Sequence, residues 1–317
     1  MWLGIYGHDE VVEQFRRILA SNRLATTYLF IGPDGVGKRT FALRLAQSLL
    51  CTARHPAELD PCGQCTSCRL LAAGNHPDLD VIGLRPEKQR LLISQFIGED
   101  QTRNRAGLCH NIALRPMLGS RRVAIIDDAD WFSLEAANCL LKTLEEPPPG
   151  AVLILVGTSR SRQLPTILSR AQIVRFRPLE TDVLRDLILQ EGQAADLAAA
   201  TELARLAGGS LSRARDLADP ALWEAHGRFV QGWTIGALDA PRLARDLDEF
   251  IAAAGKEAEA RRQRFRQLLG LVAATLRHEL RAAAAGSGSP STDSLLAALD
   301  RTLQAEEELR RNANLAT

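Results

Sequence analysis

The stretch from residue 28 to residue 40 reads YLFIGPDGVGKRT, and it decides the class of fold. Its first four residues are apolar and suit a short buried strand, and the residues from Lys38 to about Leu50 have the pattern of a helix. Between the strand and the helix lie three glycines, Gly32, Gly35 and Gly37. Backbone N–H groups in such a turn can surround phosphate oxygens, and Lys38 can reach the β- and γ-phosphates of a nucleotide. The stretch predicts a phosphate-binding loop; the alternative is a glycine-rich turn that only caps a helix.

The residue after Lys38 departs from the usual pattern of such loops. That position normally carries Ser or Thr, whose hydroxyl binds Mg²⁺, but here Arg39 occupies it and Thr40 follows. One step along a helix turns the side chain by about 100°, so Thr40 points away from the ligand position. ATP or ADP stays compatible with the loop, with Thr40 as a candidate contact. Mg²⁺ and Mg²⁺-dependent hydrolysis are disfavoured.

A second apolar strand, residues 123–126, ends in carboxylates. In phosphate-loop ATPases the first acidic residue after this strand helps to hold Mg²⁺, and a further residue positions the attacking water. Asp127 and Asp128 fit these two roles. Asp128 is one methylene shorter than the Glu that motor proteins use, which again weakens the case for hydrolysis. We expect Asp130 to cap the helix that follows.

Four of the six cysteines lie close together in the sequence, at Cys51, Cys62, Cys65 and Cys68. Four thiolates complete a tetrahedral Zn²⁺ site with no open position, so the zinc would be structural. His55 and His76 lie nearby, but the four cysteines already complete the site. Four free thiols, a redox pair at Cys62/Cys65 or Cys65/Cys68, and a zinc-ribbon DNA-binding module are the alternatives. Because the cluster directly follows the phosphate-loop helix, we expect it to brace that part of the chain.

The pattern along the chain predicts an α/β region followed by helices alone. Further apolar strands are expected at 79–82, 152–156 and 173–176, with helices between them, which indicates a parallel sheet covered on both faces. After Pro178 the pattern is helical, with a loop at Gly286–Pro290. The expected domains are 1–177, with the zinc-binding insertion at 51–68, a small helical lid at 178–219 and an all-α C-terminal bundle at 220–317.

Composition and charge leave most functional classes open. The 317 residues are 46% hydrophobic, and 39 Lys and Arg nearly balance 38 Asp and Glu, so any contact with nucleic acid must come from a local patch. A DNA-binding module is the rival interpretation of the arginines between positions 85 and 122. These include Arg103, Arg105, Arg115, Arg121 and Arg122. They lack interleaved aromatic residues, which favours a solvated face. No long apolar run or basic leader is seen, so we expect no membrane partner and a cytoplasmic protein.

Several further motifs follow the phosphate loop and the cysteine cluster in order. They are Asn75–Asp78, Asp127–Asp130, Ala136–Asn138, Leu140–Pro148 and Leu164–Arg170. In this order they resemble the AAA+ subunits of bacterial DNA polymerase III clamp loaders. The run LLKTLEEPP at 140–148 is especially specific to the gamma/tau and delta-prime types. The resemblance covers about residues 4–218.

The resemblance implies a subunit of a pentameric loader, which uses ATP to open a ring-shaped sliding clamp and place it on primed DNA. Its partners would be the gamma/tau and delta subunits, the clamp, and DNA through the complex, with the C-terminal helices forming a collar. Arg170, in the family's Ser-Arg-Cys motif, would act in trans on a neighbour's γ-phosphate, although Ala171 replaces the cysteine here. Thr158 matches a polar position near the γ-phosphate. Arg213 resembles a second nucleotide-sensing arginine, one residue later than in gamma/tau.

Three features favour the delta-prime type over the gamma/tau type. Arg39 replaces the Mg²⁺ ligand, the chain ends after the third expected domain, and the total length suits delta-prime. The expected function is thus that of a delta-prime-like subunit whose own ATPase activity is in question. The alternative is a gamma/tau-like ATPase motor.

Overall fold

The computed structural model describes residues 1–85, 88–234, 240–255, 257–284 and 292–310. The chain divides into two compact units, Met1–Leu179 and Glu180–Thr317. The expected division into three domains, at 177/178 and 219/220, stays a prediction. The expected loop at Gly286–Pro290 lies outside the described residues.

The first unit is built on a five-stranded, fully parallel sheet. Its strands are β1 Thr27–Ile31, β2 Leu79–Ile82, β3 Arg122–Ile126, β4 Ala151–Gly157 and β5 Gln172–Arg175. They lie side by side in the order β2-β3-β4-β1-β5. Each end lies within one residue of the sequence-based prediction, because short apolar runs between helices have few other ways to bury their backbone. The expected fold class, a parallel α/β module followed by helical regions, is confirmed.

Seven helices of this unit are found among the described residues. They are α1 Asp9–Ala20, α2 Lys38–Leu50, α3 Thr66–Ala72, α4 Ile93–Ile97, α5 Leu108–Asn111, α6 Leu134–Glu145 and α7 Pro165–Leu168. Ser133 begins α6, because its side chain accepts a hydrogen bond from the Ala136 N–H at 3.1 Å. The expectation that Asp130 caps this helix is therefore wrong. The cap has to lie directly before the first helical residue, whereas Asp130 lies within a short 3₁₀ turn at Ala129–Trp131, three residues before Ser133.

Two apolar cores cover the two faces of the sheet. Successive strand residues point to opposite faces, so Tyr28 and Phe30 join the core with Phe15 of α1 and Phe41 of α2. The intervening strand residues, such as Leu29, pack with α4 to α7 on the other face. All five residues of β1 are buried. Its loops are therefore held on a rigid central strand.

The parallel register fixes which residues meet at each edge of the sheet. Gly32, Asp127 and Thr158 directly follow β1, β3 and β4, so they share the edge at the carboxyl ends of the strands. The Gly32 N–H donates to the Thr158 carbonyl at 3.1 Å. Arg170 instead precedes β5 and lies at the opposite edge, since Tyr28 of β1 pairs with Gln172 of β5.

The second unit is helical throughout its described residues. Its helices are α8 Thr181–Gln190, α9 Leu197–Ala207, α10 Leu211–Leu217, α11 Pro220–Thr234, α12 Ala240–Ala252, α13 Ala258–Ala284 and α14 Thr292–Arg310. Asp196 caps the start of α9, because its side chain accepts a hydrogen bond from the Ala199 N–H at 2.8 Å. Among the helices that the structure describes, none is long and apolar enough to span a bilayer.

Candidate nucleotide site and metal centre

The glycines give the phosphate loop its shape. Gly35 and Gly37 have φ angles of +72° and +98°, in the region that disfavours other residues. Gly37 directly precedes α2, so the loop leads straight into the helix. A Cβ atom at Gly32 would collide with the carbonyl oxygen of Phe176. The three predicted glycines are thus each needed by the backbone or by a close neighbour.

Lys38 turns its side chain back into the loop. Its ammonium donates to the carbonyl oxygens of Gly32 at 2.7 Å and Pro33 at 2.6 Å, and lies 3.9 Å from an Asp34 carboxylate oxygen. Burial lowers the pKa of the Lys38 ammonium, and the negative charges of Asp34, Asp130 and Asp127 partly offset this shift. The positive charge is therefore held inside the loop, where an anion's oxygens would meet it.

His8 supports the phosphate loop, a role that its sequence context does not indicate. Its buried ring donates from Nε2 to the Val36 carbonyl at 2.7 Å and packs edge-on against Phe176, with ring centroids 4.9 Å apart. Burial lowers the pKa of His8. A single histidine ahead of an amphipathic helix carries no sequence signal for such a role.

Arg39 and Asp127, separated in sequence, form an ion pair across the site. The Arg39 Nε atom lies 3.3 Å from the Asp127 Oδ2 atom. Burial and the neighbouring Asp128 raise the pKa of Asp127, while Arg39 and Lys38 oppose this rise. Thr40 is exposed on the first turn of α2. Arg39, not Thr40, is the residue that the helix turns toward the acidic strand end.

Asp128 points away from the loop. Its backbone is left-handed, with φ +55° and ψ +36°, and its Oδ2 atom accepts from the Leu84 N–H at 3.0 Å. The carboxylate is therefore used to hold the segment after β2.

Asp130 holds Thr158, which sits at the end of β4. The Asp130 Oδ2 atom accepts from the Thr158 N–H at 2.9 Å and from its hydroxyl at 2.5 Å. The Gln163 amide donates to the same carboxylate. The structure thus fixes the predicted Thr158 beside the loop, and Asp130 is a supporting residue that simple helix-cap reasoning misassigned.

Arg213 lies in the second unit, at the start of α10. Its Nη2 atom donates to the Gly270 carbonyl of α13 at 2.5 Å. Burial lowers its pKa, and the nearby Arg277 lowers it further. In this structure the side chain is used to join two helices of its own unit.

Arg170 is held at the surface of the first unit. Its Nη2 atom lies 2.6 Å from the Glu145 carboxylate, and its Nη1 atom donates to the Thr166 carbonyl at 3.1 Å and the Ser169 hydroxyl at 2.9 Å. Glu145 belongs to the LEEPP run, so the structure brings two of the sequence motifs together. The guanidinium is ordered by groups that all lie near the protein surface.

The four clustered cysteines converge into a candidate metal centre. Cys51 ends α2 and Cys65 begins α3. All four sulfur atoms lie within 4.8 Å of one another, and those of Cys51 and Cys62 are 3.7 Å apart. Tetrahedral Zn–S bonds of about 2.3 Å place sulfur atoms about 3.8 Å apart. The cluster could therefore hold one metal ion, whereas His55 and His76 are not part of it.

The thiols compete with one another for negative charge. Burial opposes ionisation of Cys65, but hydrogen bonds from the Cys68 N–H and from Thr52 outweigh it and lower its pKa to about 5. Burial, together with the neighbouring Cys65 and Cys51, raises the pKa of Cys68 to about 12. A bound cation would allow all four thiols to ionise, because thiolates are the ligands that a metal takes.

His76 braces the two ends of the cysteine segment. Its Nδ1 atom accepts from the Asp78 N–H at 3.0 Å, which leaves Nε2 to donate to the Ser67 hydroxyl at 2.8 Å. Ser67 in turn donates to the Leu50 carbonyl at 2.6 Å. Leu50 and Ser67 directly precede Cys51 and Cys68. The histidine of the NHPD motif therefore supports the centre without entering it.

The aspartate of the same motif is fully buried beside an arginine. Asp78 accepts from the N–H groups of Met117 at 2.7 Å and Leu118 at 2.9 Å, and lies 3.4 Å from the Arg122 guanidinium. Arg122 also donates to the Pro77 carbonyl at 2.7 Å. Its expected place on a solvated face is therefore wrong: as the first residue of β3 it enters the sheet, where Asp78 neutralises it.

A cleft of about 660 Å³ lies between α6 and the segment that follows α4. Arg103 and Lys142 line it together with Asn104, Asn138 and Thr143. Within the described part of the chain, neither cation has an ion-pair or hydrogen-bond partner for its side chain. Glu146 also lines the cleft, so the two cations exceed the one carboxylate and the cleft carries a net positive charge.

Comparison with known proteins gives consistent results. The sequence profile of the family described as "DNA polymerase III, delta subunit" matches residues 7–180. The DNA polymerase III subunit delta' of Pseudomonas aeruginosa is 38% identical over 209 residues, 66% of this chain and 60% of that protein. The delta' subunit of Bacillus subtilis is 32% identical over 173 residues, 55% of this chain and 48% of that protein. The tau/gamma subunit of Haemophilus influenzae is 33% identical over 223 residues, 69% of this chain and 30% of that protein.

The matched segments span less than two thirds of each of these relatives. The family profile, by contrast, matches more than half of this chain. The chain belongs to the DNA polymerase III delta-subunit family, and among clamp-loader subunits it is of the delta-prime type.

Proposed function

We propose that this chain acts as the delta-prime subunit of a replicative clamp loader. It helps to place a sliding clamp on primed DNA, and it supplies Arg170 to the nucleotide of a neighbouring gamma/tau-type subunit. The delta subunit and the clamp are further partners. A gamma/tau-like motor is the alternative, and it would require Mg²⁺-dependent turnover at the chain's own site.

The position of Arg170 in the sheet carries the proposal. Phe176 follows β5 at the level of Gly32 in the phosphate loop, and Arg170 lies six residues earlier. At about 3.3 Å per strand residue, the four steps from Phe176 back to Gln172, the first residue of β5, already span about 13 Å along the strands, and Arg170 lies two residues further from the loop. It cannot reach a phosphate bound there, but it can reach one presented by another subunit. Its planar, permanently charged guanidinium suits two phosphate oxygens at once.

The chain's own loop supports the delta-prime role over the motor role. Arg39 takes the side-chain position of the missing Mg²⁺ ligand, and the Asp128 carboxylate is bound to the Leu84 N–H. Of the two aspartates that directly follow β3, Asp127 keeps its carboxylate beside the loop, where it is paired with Arg39. We propose that the loop, with Lys38 and Thr158, retains a nucleotide that the chain does not hydrolyse.

We further propose that the four cysteines hold one structural Zn²⁺. The sulfur–sulfur distance of 3.7 Å between Cys51 and Cys62 suits a tetrahedral site. Four protein ligands leave no position for a reacting water. The ion would fasten the end of α2 to the start of α3, and so stabilise the helix that follows the phosphate loop.

Primed DNA would meet this chain through the complex. The cleft lined by Arg103 and Lys142 offers the unpaired positive charge that a phosphate backbone requires. Arg122 is not available for such a contact, since it is buried against Asp78. The proposed contact is thus with the DNA backbone and carries no base specificity.

The decisive experiment is an Arg170→Ala chain in a reconstituted loader. An arginine that reaches a neighbouring subunit's nucleotide in this way contributes roughly 10³- to 10⁵-fold to the rate of hydrolysis at that site. We therefore expect the clamp- and DNA-stimulated ATPase and the rate of clamp loading to fall. The total ATP turnover of the complex should fall by a smaller factor than the turnover at the single site that Arg170 serves, because the other sites keep their own arginines. Folding and assembly should not change, since Arg170 makes only surface contacts.

Arg177→Ala is the matched control. Arg177 is also exposed and pairs with a surface carboxylate, Glu10, at 3.7 Å. It should leave loading at the wild-type rate. A complex with Arg170→Ala that assembles and loads clamps as fast as the wild type would contradict the role in trans.

A further inference from the structure

The Mg²⁺ ion that usually accompanies a nucleotide in a phosphate loop does not fit the side chains present here. The hydroxyl that normally binds the ion is replaced by Arg39. The carboxylate that would complete the site, Asp127, lies 3.3 Å from the Arg39 Nε atom. A divalent cation at this position would have to displace a guanidinium and overcome its positive charge.

We infer that the phosphate loop binds a nucleoside di- or triphosphate without a divalent cation, and that the Arg39 guanidinium takes the place of the metal. This inference concerns the chain's own nucleotide and does not depend on the role of Arg170. Its main observation is the Arg39–Asp127 pair, which joins the first turn of α2 to the end of β3 beside the loop.

The Arg39 side chain can bond to a phosphate while it stays paired with Asp127. Its guanidinium carries five N–H donors in a fixed plane, and the ion pair to Asp127 involves Nε. In the described part of the chain, Arg39 makes no hydrogen bond that would occupy its remaining donors. The side chain is 61% exposed, whereas that of Asp127 is 21% exposed. Asp127 is thus the more buried partner of the pair, and the Arg39 side chain remains mostly accessible to a ligand from solvent.

The charges of the site agree with a metal-free ligand. Lys38 and Arg39 supply two positive charges beside the loop, and the loop N–H groups and the start of α2 favour an anion. The Asp127 carboxylate neutralises one of these positive charges, just as it would neutralise part of the charge of a bound metal ion. Because the Asp128 carboxylate is held by the Leu84 N–H, it does not compete with the phosphates for Arg39. The expected ligand is a retained nucleotide whose affinity is insensitive to Mg²⁺.

The test is equilibrium dialysis of the full-length chain against radiolabelled ADP. One buffer contains excess Mg²⁺, and the other has been freed of divalent cations on a resin before use. EDTA is left out, because a chelator would also attack the four-cysteine centre. The wild-type dissociation constants in the two buffers should agree within about threefold. A Lys38→Ala chain, which lacks the buried ammonium of the loop, should lose binding.

Two variants of Arg39 separate its contribution from that of the loop. Arg39→Ala removes the guanidinium without adding a metal ligand, and it should weaken ADP binding about tenfold or more in both buffers. Arg39→Thr restores the hydroxyl and frees Asp127, so its affinity should rise about tenfold or more when Mg²⁺ is added. Because Arg39 is exposed on a helix, both chains should keep the wild-type circular dichroism and melting temperature.

Any of three results would overturn the inference. They are a wild-type chain that does not bind ADP, a wild-type affinity that rises tenfold or more with Mg²⁺, and an Arg39→Ala chain that binds ADP as tightly as the wild type. None of them bears on clamp loading. Conversely, if Arg170→Ala does not change clamp loading, this result has no bearing on ADP binding by the isolated chain, so the two proposals can fail separately.

Discussion

Asp78 shows how one buried residue can decide the local structure around a motif. Its carboxylate is fully buried and receives two backbone N–H groups in addition to the Arg122 guanidinium. Removing one partner of such a group leaves the other charge buried and uncompensated, which costs far more than the pair itself contributes. The NHPD motif therefore has a structural role, in which the side chains of His76 and Asp78 make the stabilising hydrogen bonds.

We predict that Asp78→Ala lowers the free energy of unfolding by about 3–5 kcal/mol, because two backbone N–H groups lose their acceptor and the buried Arg122 keeps only Asp80, 3.8 Å away, as an anionic partner. Urea unfolding followed by circular dichroism measures the change. The control is Asp34→Ala, whose side chain is 86% exposed, and it should change stability by less than about 0.5 kcal/mol. A loss below about 1 kcal/mol for Asp78→Ala would show that Arg122 finds another partner.

Some residue roles could be predicted from sequence, and others needed the sheet order. The mismatch at Arg39 is visible in the motif itself. Its pairing with Asp127 is not, because the two residues come together only when β1 and β3 are placed in one parallel sheet. Asp130 was misassigned for the same reason, since its partner Thr158 lies on a third segment.

The cysteine segment joins two helices that differ in how well the rest of the fold stabilises them. Helix α2 packs along the sheet, whereas α3 has only seven residues. A helix of that length is not stable alone. Its first turn is fixed by Cys65 and Cys68, so a metal in the cluster would decide whether α3 forms.

We predict that the purified chain carries close to one zinc per molecule and that Cys65→Ser loses most of it. Structural zinc contributes folding free energy, so the melting temperature should fall as well. Elemental analysis after purification without added metal gives the zinc content. Cys109→Ser, which alters a half-buried cysteine outside the cluster, should keep the full metal content. A Cys65→Ser chain with undiminished zinc and stability would exclude the four-cysteine site.

Strands and long helices of this chain are predictable, and its short helices are not. The strands β1 and β4 are short, mostly apolar runs, and α1 and α6 have a clear apolar stripe. By contrast, α4 and α5 contain five and four residues, too few to show a period. They form because Phe96 and Leu108 are buried in the core on one face of the sheet, which is a tertiary effect.

The first unit carries candidate site residues at two opposite edges of its sheet. The carboxyl edge of the sheet holds the phosphate loop, and the opposite edge holds Arg170. Under the proposed function, a chain arranged in this way would give its arginine to one neighbour, and its own site would have to receive an arginine from another subunit. The sequence motifs identify both edges, but only the parallel register shows that they cannot serve the same nucleotide.

We therefore predict that the isolated chain hydrolyses ATP far more slowly than about 1 per second, the low end of typical enzymes. Arg39→Thr restores a hydroxyl ligand but should not create a motor, because the Asp128 carboxylate remains bound to the Leu84 N–H and no arginine is supplied in trans. Phosphate release at saturating ATP and Mg²⁺ measures the rate, and Lys38→Ala reveals any contaminating ATPase. Turnover near 1 per second that Lys38→Ala abolishes would identify the chain as a motor, because only hydrolysis at its own loop depends on that lysine.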